Sequence, residues 1–227
     1  MTTSGLSARL RLIVITDEAM ARPRRVLDVV GSAVAAGAPA IQLRAKGASA
    51  RELYAAGLEL LPVVRDAGAL FFVNDRVDVA LALGADGVHV GPEDLPVVAV
   101  RRAAQAVGRS GPGQEPGKGR PFLIGASTDD PATARRLVTD GADYIGCGTV
   151  FTTTTKVDAG EAIGVEGLQR VVEAVHVPVV GIGGIDAARS TQVAAGSGAA
   201  GVAVVGAVMG AADVDDAVRS LLRPWMG

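Results

Sequence analysis

The sequence predicts a closed (β/α)8 barrel, and three observations carry that prediction. Short β-branched runs alternate eight times with Ala/Leu-rich amphipathic segments, the rhythm of βα units on a parallel sheet. The runs are continuously apolar, as strands buried on both faces require. Related half-motifs, GADGVHV, GADYIGC and GAAGVAVV, recur before the fourth, sixth and eighth runs. Each reads as an αβ turn in which glycine ends one helix ahead of the next strand. Eight such units fit a closed barrel better than an open sheet.

In chain order, the first strand lies near Leu12–Thr16, and an amphipathic helix follows around Arg24–Ala36. Strands near Ala40–Leu43 and Leu70–Val73 lead into helices around Ser49–Ala67 and Val77–Leu83. Gly87–Val90 is followed by a helix around Leu95–Val107, and Phe122–Ala126 by one around Pro131–Thr139. Tyr144–Gly148, Val179–Ile182 and Gly201–Val205 precede helices around Val165–Val175, Ala187–Ala195 and Asp213–Leu222. The aperiodic Gly108–Arg120 (GRSGPGQEPGKGR) joins the fourth helix to the fifth strand. It reads as a flexible surface insertion on the N-terminal face, away from chemistry. All 227 residues are expected to form one domain with its core at about 11–222.

Composition excludes several functions. Twenty-two Lys+Arg against 24 Asp+Glu leave a formal charge of −2, so no basic field exists to hold nucleic acid. Aromatic residues are 3% of the chain, too few for base-stacking platforms. One cysteine builds neither a disulfide framework nor a Cys-rich zinc site. Hydrophobic residues reach 49%, yet the apolar runs are broken by Gly, Asp and Arg well short of the ~20 residues that span a bilayer. The first apolar run is too brief for a signal peptide. The expectation is a cytoplasmic protein with no membrane and no nucleic-acid partner, its oligomeric state open, a homo-oligomer included.

In such barrels the active site is built from the loops after the strands. Those loops carry Gln42, Arg44 and Lys46 after the second strand, Asn74-Asp75 after the third and Glu93-Asp94 beyond the fourth. Ser127 ends the fifth, and Thr152-Thr153-Thr154-Thr155-Lys156 belong to the loop after the sixth. Gly183-Gly184 and Val205-Gly206 end the seventh and eighth. Arg44, Lys46 and Lys156 are cations around Asp75 and Asp94. Two carboxylates with little else in reach suit Mg²⁺, which takes one or two carboxylates plus water and phosphate oxygens. Lys and Arg then complete the binding of a diphosphate. Backbone N–H groups after strands seven and eight suit a phosphate monoester. Together these imply two phosphorylated ligands, or one with two anionic ends. Plainer alternatives exist: Asn74 and Asp75 as caps of the next helix, Asp94 as a helix start, and the glycine pair as a turn. Cys147 reads as a core thiol, and His176 as a helix-end residue. His89 could point inward from its strand, but shows no partner in sequence.

Several motifs, in order from about Arg11 to Leu222, resemble the thiamine-phosphate synthase family. They are QLRAK (42–46), NDRVDVALALGADGVHVG (74–91), EDLP (93–96), GADYIG (141–146), TxTK (153–156) and GIGGI (181–185). The resemblance implies a transferase joining 4-amino-2-methyl-5-hydroxymethylpyrimidine diphosphate to 4-methyl-5-(2-phosphoethyl)thiazole, the latter plain or carboxylated, with release of pyrophosphate. By similarity, Gln42, Arg44, Lys46, Asn74, Ser127 and Lys156 would hold the pyrimidine diphosphate, with Arg44, Lys46, Ser127 and Lys156 closest to the chemistry. Asp75 and Asp94 would bind Mg²⁺. Thr153, Thr154, Thr155, Gly184, Val205 and Gly206 would serve the thiazole phosphate. The sequence departs from the family pattern at Asp129, where a His is usual, and at Thr149 and Thr152, which replace prolines and predict a looser loop after the sixth strand. Gly206 replaces a Ser and Pro92 a Gln. Rival readings are a thiazole tautomerase, which needs no diphosphate machinery, and a non-catalytic phosphate-binding barrel. A sugar-phosphate isomerase would want a carboxylate or His base at the substrate carbon.

Overall fold

A computed structural model of the chain describes residues 3–111, 121–153 and 161–226. Eight parallel strands close into one barrel in sequence order. They are β1 (Leu12–Ile15), β2 (Ala40–Leu43), β3 (Leu70–Asn74), β4 (Gly87–Val90), β5 (Leu123–Ser127), β6 (Tyr144–Cys147), β7 (Val179–Ile182) and β8 (Gly201–Val204). The first helices are α1 (Thr3–Arg9), α2 (Glu18–Ala21), α3 (Val26–Ala35), α4 (Ala50–Asp66), α5 (Val77–Leu83) and α6 (Val97–Ala106). After β5 come α7 (Pro131–Thr139), α8 (Gly164–Ala174), α9 (Ala187–Gly196), α10 (Gly206–Met209) and α11 (Val214–Leu222), then a 3-10 turn, Arg223–Trp225. Every predicted strand and helix is present within a residue or two at each end. Helices α1, α2 and α10 and the final turn are additions.

Strand alternation sorts the core into two layers. Leu12, Val14, Ile41, Leu43, Phe71, Val73, Ile145 and Cys147 belong to the layer between sheet and helices, where burial pushes the Cys147 thiol up to about 12. Ile13, Ile15, Ala40, Leu70, Phe72, Leu123, Tyr144, Val180 and Ala203 fill the barrel. Below β8 the backbone of Leu10 and Arg11 comes so close to Gly201 that a Cβ there would collide with it. Leu6 and Leu10 join the inner cluster. Helix α1 with the turn after it therefore plugs the N-terminal end of the barrel. Ser49 and Glu52 cap α4 reciprocally, and Asp130, Asp186 and Asp213 cap α7, α9 and α11, each satisfying an otherwise unpaired N–H.

The recurrent half-motif is a working joint. Gly84, Gly141 and Gly198 all have positive φ, at 65°, 107° and 69°, a region that favours glycine. In the first two copies the aspartate then reaches sideways to the preceding strand. Asp86 Oδ2 accepts from Phe71 N at 2.9 Å, and Asp143 Oδ2 accepts from Ile124 N at 2.7 Å. The third copy has Ala200 there and keeps only the main-chain bond, Ala200 N to Val179 O at 2.8 Å. Asp143 also receives Arg101 Nη2 at 2.6 Å, while Arg101 donates to the Phe122 and Gly141 carbonyls at 2.8 and 2.7 Å. This nearly buried ion pair ties α6, β5 and β6 together at the N-terminal face. The described ends of the 108–120 segment meet there too, with Phe122 N on Ser110 O at 2.8 Å and Arg109 Nη2 on Ala85 O at 2.8 Å. Residues 112–120 lie outside the described residues.

Removing one partner of a buried, hydrogen-bonded ion pair strands the other charge. Asp143→Ala is therefore expected to cost about 3–5 kcal/mol of stability, measured by urea unfolding. A loss below about 1 kcal/mol would mean that solvent replaces the pair.

Candidate active site

At the C-terminal end of the strands the barrel opens into a cavity of about 860 Å³, within the size range of small-molecule sites. Its wall brings together Gln42, Arg44, Lys46, Asn74, Asp75, Asp94, Ser127, Thr153, Gly184, Val205 and Gly206. These residues come from seven of the eight strands or the loops after them. Thr154, Thr155 and Lys156 lie outside the described residues.

Each part of the rim is held by its own local geometry. Arg44 is clamped by Thr16, the residue after β1: its N–H donates to Thr16 Oγ1 at 2.8 Å, and that hydroxyl donates back to Arg44 O at 3.0 Å. Its guanidinium lies 3.8 Å from Asp17. Asp75 sits at φ 61°, where Asn and Asp are the commonest non-glycine residues. Its N–H donates to His89 O at 2.8 Å, and Arg76 N reaches Asn74 O at 2.7 Å. Asn74 and Asp75 do not cap α5, whose cap position is Arg76 without a side-chain bond. Asp94 does not cap α6 either, because that position is Pro96. Instead Asp94 Oδ2 accepts from Gly91 N at 2.7 Å and closes its own loop. Both aspartates are thereby committed to the cavity rather than to helix ends.

The two carboxyls meet. Burial, a hydrogen bond with Asp94 and the Asp94 charge push Asp75 up to about 6, against the pull of Arg44 and Lys46. A buried carboxyl raised by a neighbouring carboxylate in this way calls for a cation between the two. Among the described residues no group of three or more His, Cys, Asp or Glu side chains is placed to hold a metal. An ion here would thus take most of its ligands from water or substrate, which fits Mg²⁺.

The opposite side of the rim is backbone. Gly183 and Gly184 have φ of 104° and 62°. A Cβ on Gly183 would lie 2.7 Å from Thr149 Cγ2, and one on Gly184 2.6 Å from Thr152 O. Both glycines are required because the 149–152 segment runs directly over them. That segment is bound to β7 through Val150 N to Ile182 O and Phe151 N to Gly183 O, at 2.9 and 3.1 Å. It is also bound to α8 through Ile163 N to Thr149 O and Gly164 N to Val150 O, at 2.9 and 3.0 Å. Thr149 and Thr152 thus belong to an anchored stem, where the sequence predicted a looser loop. Residues 154–160, between the anchors, lie outside the described residues.

Two features of the wall were not assigned from sequence. Arg189 lines the cavity, donates Nη1 to Gly184 O at 2.6 Å and stacks over the Phe151 ring at 4.9 Å. Its place on α9, one turn after Asp186, gave no hint of this. At the cavity floor His89 points inward, as its alternation allowed. Its Nδ1 lies 3.0 Å from the Tyr144 hydroxyl and its Nε2 2.8 Å from Ser127 Oγ. Burial lowers His89 to about 4 and raises Tyr144 above its usual range, so both are neutral at physiological pH. Asp129, the position where a His was expected, is exposed and is not part of the cavity wall.

Fold and site together define a (β/α)8 barrel enzyme whose working face is the C-terminal mouth. The sequence profile described as thiamine monophosphate synthase matches residues 12–208, and the chain belongs to that family. It is 45% identical over 210 residues to a thiamine-phosphate synthase of Moorella thermoacetica, covering 92% of this chain and 93% of that one. It is 46% identical to one of Methanoculleus marisnigri, covering 92% of each. A solved thiamine phosphate pyrophosphorylase from Pyrococcus furiosus superposes with a TM-score of 0.83 at 41% identity, over 98% of this chain and 100% of that one. A 3-hexulose-6-phosphate synthase shares the fold alone, at 19% identity and a TM-score of 0.64. No helix among the described residues is long and apolar enough to cross a membrane.

Asp75→Asn removes the repulsion while keeping a side chain that tolerates positive φ. It is expected to raise the metal-free melting temperature at pH 8 by a few degrees and to abolish any further rise on adding Mg²⁺. An unchanged response to Mg²⁺ in thermal melts would remove Asp75 from the ligand set.

Proposed function

We propose that this chain is a transferase that joins a pyrimidinylmethyl diphosphate to a thiazole phosphate, giving thiamine phosphate and pyrophosphate. The observation that carries the reading is the division of one cavity into two anion-suited ends. Asp75 and Asp94 face Arg44 and Lys46 at one end, and the Gly183-Gly184 turn with Val205-Gly206 lies at the other. Membership of the family supports the same reaction. We assign the cytoplasm as its location, where both small phosphorylated substrates would be available.

In this reading Gln42, Arg44, Lys46, Asn74, Ser127 and Lys156 hold the diphosphate substrate. Asp75 and Asp94 hold Mg²⁺, which when bound would neutralise negative charge on the departing diphosphate. The C–O bond between the pyrimidine methylene and the diphosphate breaks, and both electrons leave with oxygen. Arg44, Lys46 and Lys156 stabilise that oxygen where its charge grows. The electron-rich aminopyrimidine carries the cation left behind until the thiazole nitrogen donates its lone pair to the methylene carbon. Thr153, Thr154, Thr155, Gly184, Val205 and Gly206 orient the thiazole through its phosphate. No protein nucleophile takes part. The barrel's contribution is alignment of two ligands and exclusion of water from the cation.

The decisive experiment is a coupling assay with both substrates and Mg²⁺, following thiamine phosphate and pyrophosphate together. Equal amounts of both, abolished by chelator, are expected; thiazole-phosphate binding without product would favour a tautomerase or a binding-only barrel. Residue roles separate in the same assay. Lys46→Ala should lower turnover on the diphosphate side by about 10²-fold. Gly184→Ala, which forces a Cβ against Thr152 O, should instead raise KM for the thiazole phosphate, and equal effects on both substrates from either variant would count against the partition.

A further inference from the structure

His89 and Tyr144 are polar, inward-facing and given no part in the reading above, and Ser127 joins them to the residues that hold the diphosphate. It is also built into the sheet at the expense of side chains elsewhere. A Cβ at Gly125 would collide with the Tyr144 ring and with His89 Nδ1, and one at Gly146 would lie 2.8 Å from His89 Cε1. Two neighbouring strands therefore carry no side chain where the imidazole and phenol lie. Tyr144 is fixed from below by an edge-on contact with Phe72, ring centroids 5.5 Å apart.

We propose that His89 is a positioning residue for Ser127, with Tyr144 setting the His89 tautomer so that the serine hydroxyl is held as a donor into the cavity. The inference rests on the reading of Ser127 as a ligand of the diphosphate substrate. A neutral imidazole has one N–H and one bare nitrogen, and the two ring nitrogens here each face a hydroxyl. Among the described residues the Tyr144 hydroxyl meets His89 Nδ1 and no other hydrogen-bond partner. If Nδ1 carried the proton, the phenol would have to accept, and its own buried O–H would have no acceptor among the described residues, which is costly. The phenol therefore donates to Nδ1, and the ring proton sits on Nε2.

That choice propagates to Ser127. Nε2–H donates to Ser127 Oγ, occupying a lone pair of the serine and releasing its proton toward the cavity. With the opposite tautomer, Ser127 would donate to Nε2 and present only lone pairs to its ligand. Toward the oxygens of a diphosphate the first arrangement attracts and the second repels. The relay also holds Oγ in place before the substrate arrives, the kind of pre-alignment whose loss lowers rate more than affinity. His89 O meanwhile accepts from Asp75 N, so one residue of β4 touches both Ser127 and the acidic corner.

The chain has two histidines, and His176 is exposed, so ¹⁵N-labelled protein gives an uncrowded test. Two-bond ¹H–¹⁵N correlations should show His89 as the Nε2–H tautomer in the wild-type chain; the Nδ1–H tautomer would overturn the proposal. In the coupling assay Tyr144→Phe should lower kcat about tenfold with KM for the thiazole phosphate unchanged. His89→Leu should match Ser127→Ala, and the double variant should be no worse than either single one. His89→Gln, which returns an N–H donor near the Nε2 position, should recover most of the lost rate. Additive losses from His89→Leu and Ser127→Ala would show that His89 acts independently of the serine and would sink the relay. An Nε2–H tautomer combined with a fully active Ser127→Ala variant would overturn the serine assignment itself, and the positioning role with it.

Discussion

A sheet of eight strands closed on itself has no edge and a single interior, and every inward side chain must fit what the other strands contribute at that level. In this barrel the lower levels pair bulk with absence of bulk. β1, β3, β5 and β7 supply Ile13, Leu70, Phe72, Leu123 and Val180, while β2, β4 and β8 answer with Ala40, Gly87, Gly201 and Ala203. Tyr144 of β6 is the large exception among the even strands, and Gly125 beside it makes its room. Leu6 and Leu10 close the bottom. Toward the top the strands diverge into loops, and the interior can no longer be filled with aliphatic side chains from the sheet alone. There the inward positions become Gln42, Asn74, His89 and Ser127. The active-site cavity is thus where the packing solution of the barrel ends.

This constraint explains what the sequence displayed and what it concealed. Strands were legible because burial on both faces demands continuous apolar runs, and turns were legible because Gly84, Gly141 and Gly198 adopt conformations that favour glycine. The rim residues were legible because barrel topology alone brings every strand end to one face. Helix α1 was not, since its seven residues precede the first strand, outside the repeating βα rhythm, and its purpose appears only when Leu6 and Leu10 meet the inner cluster. Asp75 and Asp94 were ambiguous in sequence because a carboxylate just before a helix is an ordinary cap. Only the positive φ of Asp75 and the bond from Gly91 to Asp94 separate the readings. His89 had no visible partner because Ser127 and Tyr144 lie 38 and 55 residues away, joined to it only by closure of β4, β5 and β6.

The departures from the family pattern also acquire physical content. Asp129 lies outside the cavity wall, so the missing histidine leaves the lining unchanged. Thr149 and Thr152 sit where the chain crosses Gly183 and Gly184, and main-chain bonds to β7 and α8 hold that crossing in place. Proline would restrict the same backbone through its ring, but the ladder already restrains it. Arg189 adds something composition could not show: a guanidinium that braces Gly184 O and covers Phe151, tying the glycine turn to the crossing segment.

The electrostatics of the cavity follow the same vertical order. At the floor, burial keeps His89 and Tyr144 uncharged; at the rim, Arg44 and Lys46 act on the half-buried Asp75 carboxyl. For the proposed reaction this separation has a purpose. A cation that must survive until a second ligand attacks it would be trapped by a nearby anionic nucleophile and quenched by mobile water. A floor of neutral, mutually hydrogen-bonded groups offers no anionic nucleophile. The rim can then hold its charges close to the departing diphosphate without placing a bare anion beneath the carbon from which it departs. Fixed dipoles below and fixed charges above divide the work that a single charged residue could not do at both places.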